Sequence, residues 1–526
     1  MTGIVSLVLA VVTLTVAPAW AGRADNTLVF GQSVPVTTLG PELGAFQKYP
    51  AGYEVSFALY DRLVTFDPDL KLRPQLAERW QVAGDGKSVT FHLRRNVTFH
   101  DGAPFNAAAV KFNIERMLDP KRNTTNQPIW SPIAGAEVVD THTVRITTKE
   151  PYALLLNTLA HGSGAMVSPA AIAKNGDDSM ALRPVGAGPY MLESFTPGQE
   201  VVLKAFLGYW GGKPKLDRIV FKYIPEPATR IAALKTGSVD VIDAVPPHMV
   251  PSVKQVRGLE VVTKPGLRPM GLAILTTREP FTDVRVRRAL NHAIPVSTIA
   301  EKVFFGFARA SDSPLAFNTA GHKTVGSYAH DPKRAEVLLK DAGFSRGADG
   351  VLVKNGKPFT MKLFTSDGLL PGDLRTAEIA ARSFEALGVK VAITKIEAAS
   401  YWDYLRAPQA DLQWDLAVFG FNPSNGAGSY HIDSMFHSNP NDAEKPAAWN
   451  IVRYRNAEVD RLIGDAKVAV DGEKYGALLG RAQEIVWNDA PYVWLQVNDV
   501  ISARRKELNN VHVWPIVFTI VRDAHW

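Results

Sequence analysis

A chain of 526 residues, 46% hydrophobic and 21% charged, has the balance of a soluble globular protein with room for roughly three domain-sized units. Lys and Arg number 58 against 52 Asp and Glu, a net charge of +6 spread along the chain without basic runs interleaved with aromatics, which argues against a nucleic-acid partner. The absence of cysteine excludes disulfides, thiolate metal sites, cysteine nucleophiles and lipid attachment at a lipobox.

The chain opens on an apolar run from Ile4 to Val16, followed by Ala19-Trp20-Ala21, an A-x-A site. The run is shorter than the roughly 20 residues that span a bilayer. Residues 1–21 are therefore expected to be a signal peptide, with export to the periplasm and no lipid anchor. No Lys or Arg precedes the run, so its positive charge is that of the amino terminus.

Strand-like and helix-like segments then alternate, which predicts an α/β architecture. In chain order we expect a strand at Thr27–Phe30, a helix at Val55–Val64, and a hairpin turning at Gly84-Asp85-Gly86 between Val82 and Val89–Leu93. A second tight turn follows at Asp101-Gly102. Asn106 then caps a helix, Ala107–Leu118, whose apolar face is Val110, Ile114, Met117 and Leu118; Pro120 stops it. Further strands are expected at Val144–Thr147, Ile219–Tyr223, Met270–Leu275, Thr360–Phe364, Val389–Ile396 and Leu416–Phe419. Further helices are expected at Ala228–Lys235, Val284–Ala293 (capped by Asp283), Pro332–Ala342, Arg375–Leu387, Ala457–Val468 and Glu473–Asp489.

The wording of Leu76–Pro120, LAERWQVAGDGKSVTFHLRRNVTFHDGAPFNAAAVKFNIERMLDP, resembles the signature of the family 5 periplasmic solute-binding proteins, the peptide and nickel class of ABC transporters. The resemblance continues in order through Val185-Gly186-Ala187-Gly188-Pro189-Tyr190, Tyr209–Pro214, Ala232–Asp240, Pro280–Leu290, Asp331–Phe344 and Tyr454–Leu462. These motifs read as scaffold: glycines in turns, and Arg285, Arg287 and Arg288 as a solvated or interlobe face. The resemblance implies a two-lobed periplasmic binding protein fold, type II, cluster C. Lobe one would be 22–268 and 490–526, with a subdomain at about 88–202, and lobe two 269–489. The crossings would lie near Gly266–Leu275 and Asp489–Val497. It implies a small-molecule or short-peptide ligand held between the lobes, delivery to membrane permease subunits, no cofactor, and a monomer.

Enzyme readings find little support: there is no G-x-S-x-G and no P-loop, and Gly162-Ser163-Gly164 lacks a nucleophile elbow's context. His431, Asp433 and His437 are read as a loop without a metal, since no third convincing ligand accompanies the histidines. A hydrolase on the same scaffold and a chaperone-like binder of extended chains are the alternatives.

Binding residues follow from position. The family's amine-capturing segment G-W-x-x-D-x-x-D-P is represented here by Phe419-Gly420-Phe421-Asn422-Pro423-Ser424-Asn425-Gly426, where Asn and Ser replace the carboxylates. Losing a charge-assisted partner disfavours a free amine. Arg375, at the start of a helix, can offer a planar fork to a carboxylate, and the plainer alternative is a surface pair with Asp373 or Glu378. Arg268, just before the first crossing, is a candidate for a second contact to an anionic group. Tyr53, Trp130, Trp402, Phe421 and Tyr430 are candidate box aromatics, with Asn422 and Ser424 as polar contacts. The expected ligand is peptide-like or otherwise polar, with an acidic group.

Overall fold

The computed structural model describes residues 25–41, 50–122, 127–398, 400–438, 449–469 and 471–526, so the expected signal segment lies outside the described residues. Eleven strands, numbered along the chain, make one sheet. They are β1 (Thr27–Gln32), β2 (Tyr190–Thr196), β3 (Glu200–Ala205), β4 (Arg218–Tyr223), β5 (Val241–Ile242) and β6 (Leu259–Ile274). Then come β7 (Ala308–Ala310), β8 (Thr360–Thr365), β9 (Lys390–Lys395), β10 (Leu416–Gly420) and β11 (Tyr492–Arg505). Their order across the sheet is β9-β8-β10-β6-β11-β5-β1-β4-β3-β2, with β7 pairing β11 at the side. Within the first half, β1 runs parallel to both neighbours, β4 and β5, and is buried along nearly its whole length, as a strand covered on both faces must be.

The halves are joined by β6 and β11, an antiparallel pair of 16 and 14 residues. Their register breaks between Pro265 and Pro269 and again between Pro269 and Gly271. Proline donates no ladder hydrogen bond, so Pro265 and Pro269 loosen the pairing where the halves meet. Gly266 and Gly271 let the backbones close up: a Cβ there would lie 2.6 Å from Asn498 O and 2.8 Å from Val493 O. Each half keeps its own core. One centres on Phe30, Tyr60, Ile219 and Val241; the other on Leu272, Leu290, Leu363 and Leu416, flanked by a cluster around Trp414, Phe436 and Ile463.

A separate four-stranded sheet carries Ala77–Val82, Ser88–Leu93, Ile133–Asp140 and Thr143–Thr148. The expected hairpin is its first pair, and Asn106 caps Ala107–Leu118 by accepting from Ala109 N at 3.0 Å. This sheet starts at Ala77, ahead of the expected Ser88, because Ala77–Val82 is the hairpin partner. Residues 190–205 belong to the main sheet instead, as β2 and β3.

The signature residues of two distant motifs meet. Gly186 N donates to His100 Nδ1 at 3.2 Å, so the His100 proton is on Nε2, which donates to Gly188 O at 3.0 Å. Ser168 Oγ donates to Asp101 Oδ2 at 2.7 Å. A Cβ at Gly186 would stand 2.2 Å from Leu59 O, and one at Gly188 2.5 Å from Leu59 C. The motifs thus clamp the end of the helix Pro50–Leu59. That helix starts and ends earlier than the expected Val55–Val64; it cannot reach Val64, which is already in a strand paired with Pro74.

Arg287 departs from the expected solvated face. It is buried and donates to Phe281 O, Thr282 O and Asp489 O, tying together loops from two segments. His431 likewise lies in a helix, Gly428–Phe436, rather than a loop, with His437 as the C-cap. Asp433 is held by Lys467 at 2.7 Å. Among the described residues no three His, Cys, Asp or Glu side chains gather as a metal site, and no helix is long and apolar enough to cross a membrane.

Candidate functional site

The two halves meet along a polar seam built on His161. This residue follows the helix Leu155–Ala160 and caps the turn Gly162–Gly164, where a Cβ on Gly162 would fall 2.3 Å from the Tyr53 ring. Ser163 N donates to His161 Nδ1 at 3.2 Å, so the ring proton belongs on Nε2. That proton faces two oxygens, Tyr53 OH at 2.9 Å and, from the other half, Ser424 Oγ at 3.0 Å. Trp130 Nε1 donates to Ser163 Oγ at 2.8 Å, and Arg62 Nε holds the His161 carbonyl at 3.1 Å. Burial, with Arg62 nearby, pushes the imidazole down to about 3, so it stays neutral. Burial raises the Tyr53 and Tyr430 hydroxyls. Ser163 Oγ stands 2.8 Å from His161 Nδ1, yet the imidazole has no carboxylate partner among the described residues, so the pair serves the seam.

Other bonds cross the seam. Asn157 Nδ2 donates to Asn425 O at 3.0 Å, and Asn422 Nδ2 donates to Ile516 O at 3.0 Å. Ala153 N donates to Lys467 O at 3.2 Å.

Below the seam a cavity of about 10 Å³, room for roughly one water, is lined by Pro269, Met270, Gly271, Pro314, Phe419, His431, Met435, Phe436, Tyr492 and Trp494. Three lining side chains present buried polar atoms without a hydrogen-bond partner: His431 Nδ1, Tyr492 OH and Trp494 Nε1. Burial holds the His431 imidazole down at about 3. On β6, next to the register break, Arg268 packs its aliphatic stem over Gly420. Its Nε is buried and unpartnered, and no carboxylate faces it among the described residues. Burial lowers the guanidinium to about 10. Buried polar atoms in folded proteins are rarely left unbonded.

The structure brings Tyr53, Trp130, Phe421, Asn422, Ser424, Tyr430 and Arg268 to this seam or its walls. Phe421 sits between Tyr430, His431 and Trp449, with ring centroids 5.8, 5.3 and 6.0 Å away. Trp402 stands further back and reaches Phe421 through Phe419 and Trp449. Arg375 does not join the group. Its side chain is 59% exposed and pairs with Glu378 at 2.9 Å, the plainer of the two alternatives. Sequence reasoning missed His161, Asn157 and Trp494, and weighed His431 only as a metal ligand. The one signal near His161 was Gly162-Ser163-Gly164, which has the small residues that a close approach needs.

Residues 71–443 match the bacterial extracellular solute-binding proteins, family 5 Middle. The chain belongs to that family. Its members are periplasmic, solute-capturing components of ABC importers that deliver their ligand to permease subunits, and this chain is such a binding component. The glutathione-binding protein GsiB of Salmonella choleraesuis (strain SC-B67) is 31% identical over 486 residues, covering 91% of this chain and 92% of the relative. Among solved structures, NikA from Brucella suis in complex with Fe(III)-EDTA is 26% identical, covers 94% of this chain and 99% of its own, and superposes with a TM-score of 0.83. AgaA from A. tumefaciens R10, in complex with agropinic acid, is 26% identical over 94% of this chain and 96% of its own, with a TM-score of 0.78. The fold is therefore the two-lobed family 5 architecture, with the seam between its lobes.

Proposed function

We propose that this family 5 protein captures a small, polar, peptide-like organic solute with an acidic group, closing its lobes about the crossing strands β6 and β11. The observation that carries the reading is Arg268: a guanidinium at the base of the cleft, its Nε buried, with no carboxylate of the protein to neutralise it. An uncompensated cation in a low-dielectric site is costly, and a ligand carboxylate offsets that cost with a bidentate, charge-assisted pair. A relative named for glutathione binding and a neighbour solved with agropinic acid support the same ligand class. The protein is exported by the segment 1–21, is free rather than lipid-anchored, acts as a monomer, and performs no chemistry on its ligand.

Thermal shift against glutathione, acidic dipeptides, opines, sugars and nickel–histidine tests this. A ligand present at a hundredfold its Kd stabilises the folded state by about 2.7 kcal/mol, a shift of several degrees. Acidic peptide-like compounds or opines should give the shifts. Shifts with sugars or the metal complex alone would overturn the assignment.

A further inference from the structure

The loop Asn422–Ala427 carries two side-chain amides whose orientations are fixed by their own bonds. Asn425 Oδ1 accepts from Ala427 N at 3.1 Å, so its Nδ2 is the atom left over; that nitrogen has no partner, and the residue is wholly buried. Asn422 Nδ2 donates to Ile516 O, so its Oδ1 is the atom left over, buried and without a partner. The loop thus presents one spare donor and one spare acceptor at the seam, where Asn157 of the other lobe already holds Asn425 O. Asn422 is also tied to the Arg268 corner: Leu267 N donates to Pro515 O at 3.0 Å while Asn422 takes the next carbonyl, Ile516 O.

We infer that Asn422 and Asn425 read the second-lobe end of the ligand as a neutral secondary amide, N–H to Asn422 Oδ1 and C=O to Asn425 Nδ2, so that the solute is an N-acylated or otherwise amine-blocked acid. This rests on the acidic-solute reading above and narrows it. Phe419–Tyr430 contains no Asp or Glu, and the next carboxylate along the element, Asp433, is engaged by Lys467. A free ammonium enclosed here would lose its hydration and gain no counter-charge from this loop, whereas an acyl amide loses little and satisfies both orphaned atoms.

Isothermal titration with matched pairs tests it: N-acetyl-Ala-Glu against Ala-Glu, and N-acetylglutamate against glutamate. The acylated member of each pair should bind at least tenfold more tightly, and Arg268→Gln should weaken both members. Asn425→Asp keeps the Oδ1 that Ala427 N uses and converts the spare donor into a carboxylate, so it should reverse the preference toward the free amine. Acids that bind, depend on Arg268 and favour the free amine or show no preference would overturn the amide reading and leave the acidic-solute reading standing. No binding by any of the four acids at millimolar concentration would overturn the amide reading; the thermal-shift panel then decides the acidic reading separately. Should Asn425→Asp fail to fold by circular dichroism, the wild-type ratios decide alone.

Discussion

His161 Nε2 and Ser424 Oγ lie 3.0 Å apart although 263 residues separate them in the chain, and their hydrogen bond joins one lobe to the other. The same Nε2–H also faces Tyr53 OH at 2.9 Å within its own lobe. When the lobes part, Tyr53 still satisfies the imidazole, so the crossing bond contributes only about 1 kcal/mol net and does not hold the cleft shut by itself. A binding protein needs that balance: closure has to depend on the ligand, which can shift the equilibrium only by its preference for the closed state.

A double-mutant cycle measures the balance. His161→Gln and Ser424→Ala should each weaken ligand binding by about three- to tenfold, with a coupling of about 1 kcal/mol between them. Calorimetry at fixed pH reads it, and additive losses would show that the two groups do not cooperate in closure.

Arg268→Gln should weaken an acidic ligand by tenfold or more, while the urea midpoint holds or rises, since the change removes a half-buried cation whose Nε has no partner. Arg375→Ala should leave affinity and stability unchanged, because an exposed pair with Glu378 contributes little. An affinity loss confined to the Arg375 variant would reverse their roles.

Acid should destabilise the closed fold. His161 and His431 are held near 3 by burial, whereas an unfolded histidine protonates near 6.5. Below pH 6.5 the unfolded chain therefore binds protons that the folded chain refuses, so stability is complete above that pH and falls as pH drops toward 3. The loss is about 2 kcal/mol per histidine at pH 5. Urea midpoints at pH 7.5 and 5 should differ accordingly, and His161→Gln should remove about 2 kcal/mol of the difference, leaving the His431 share. An unchanged profile in the variant would show that His161 is not the titrating group.

Gly186→Ala should cost about 3 kcal/mol, since the new Cβ meets Leu59 O, a backbone atom that cannot turn aside. Gly84→Ala, in open space at the hairpin turn, is the control and should be near neutral. Equal midpoints for the two variants would mean that the motif clamp relaxes freely.

Much of this fold was legible from local patterns. The helices Ala107–Leu118, Val284–Ala293 and Ala457–Val468 have the expected bounds, because a capping side chain and an apolar stripe act within a turn or two. The long crossing strand β6 was seen only in its second half, Met270 onward. Its first half, with Pro265, Gly266 and Pro269, reads as a breaker and pairs only because β11 lies beside it. The site was legible in part for a similar reason. Phe421, Asn422, Ser424 and Tyr430 share one short segment, a loop and the first turn of the helix Gly428–Phe436, so identifying the segment found them together. His161, Asn157 and Trp494 come from elements far away in the chain, and apart from the glycines beside His161 no local pattern points to them.

The amino-acid sequence by itself determined the family, the α/β alternation and the absence of acidic residues from Phe419–Tyr430, since these are properties of adjacent residues. Only the tertiary structure decided which polar atoms are left over. Arg268 and Arg375 are equivalent side chains on paper. Glu378, one helical turn away, answers Arg375, while packing beneath the seam leaves Arg268 unanswered. Whether a charge is paired depends on what the rest of the chain folds against it, and here that difference separates a surface residue from the proposed anchor for the ligand.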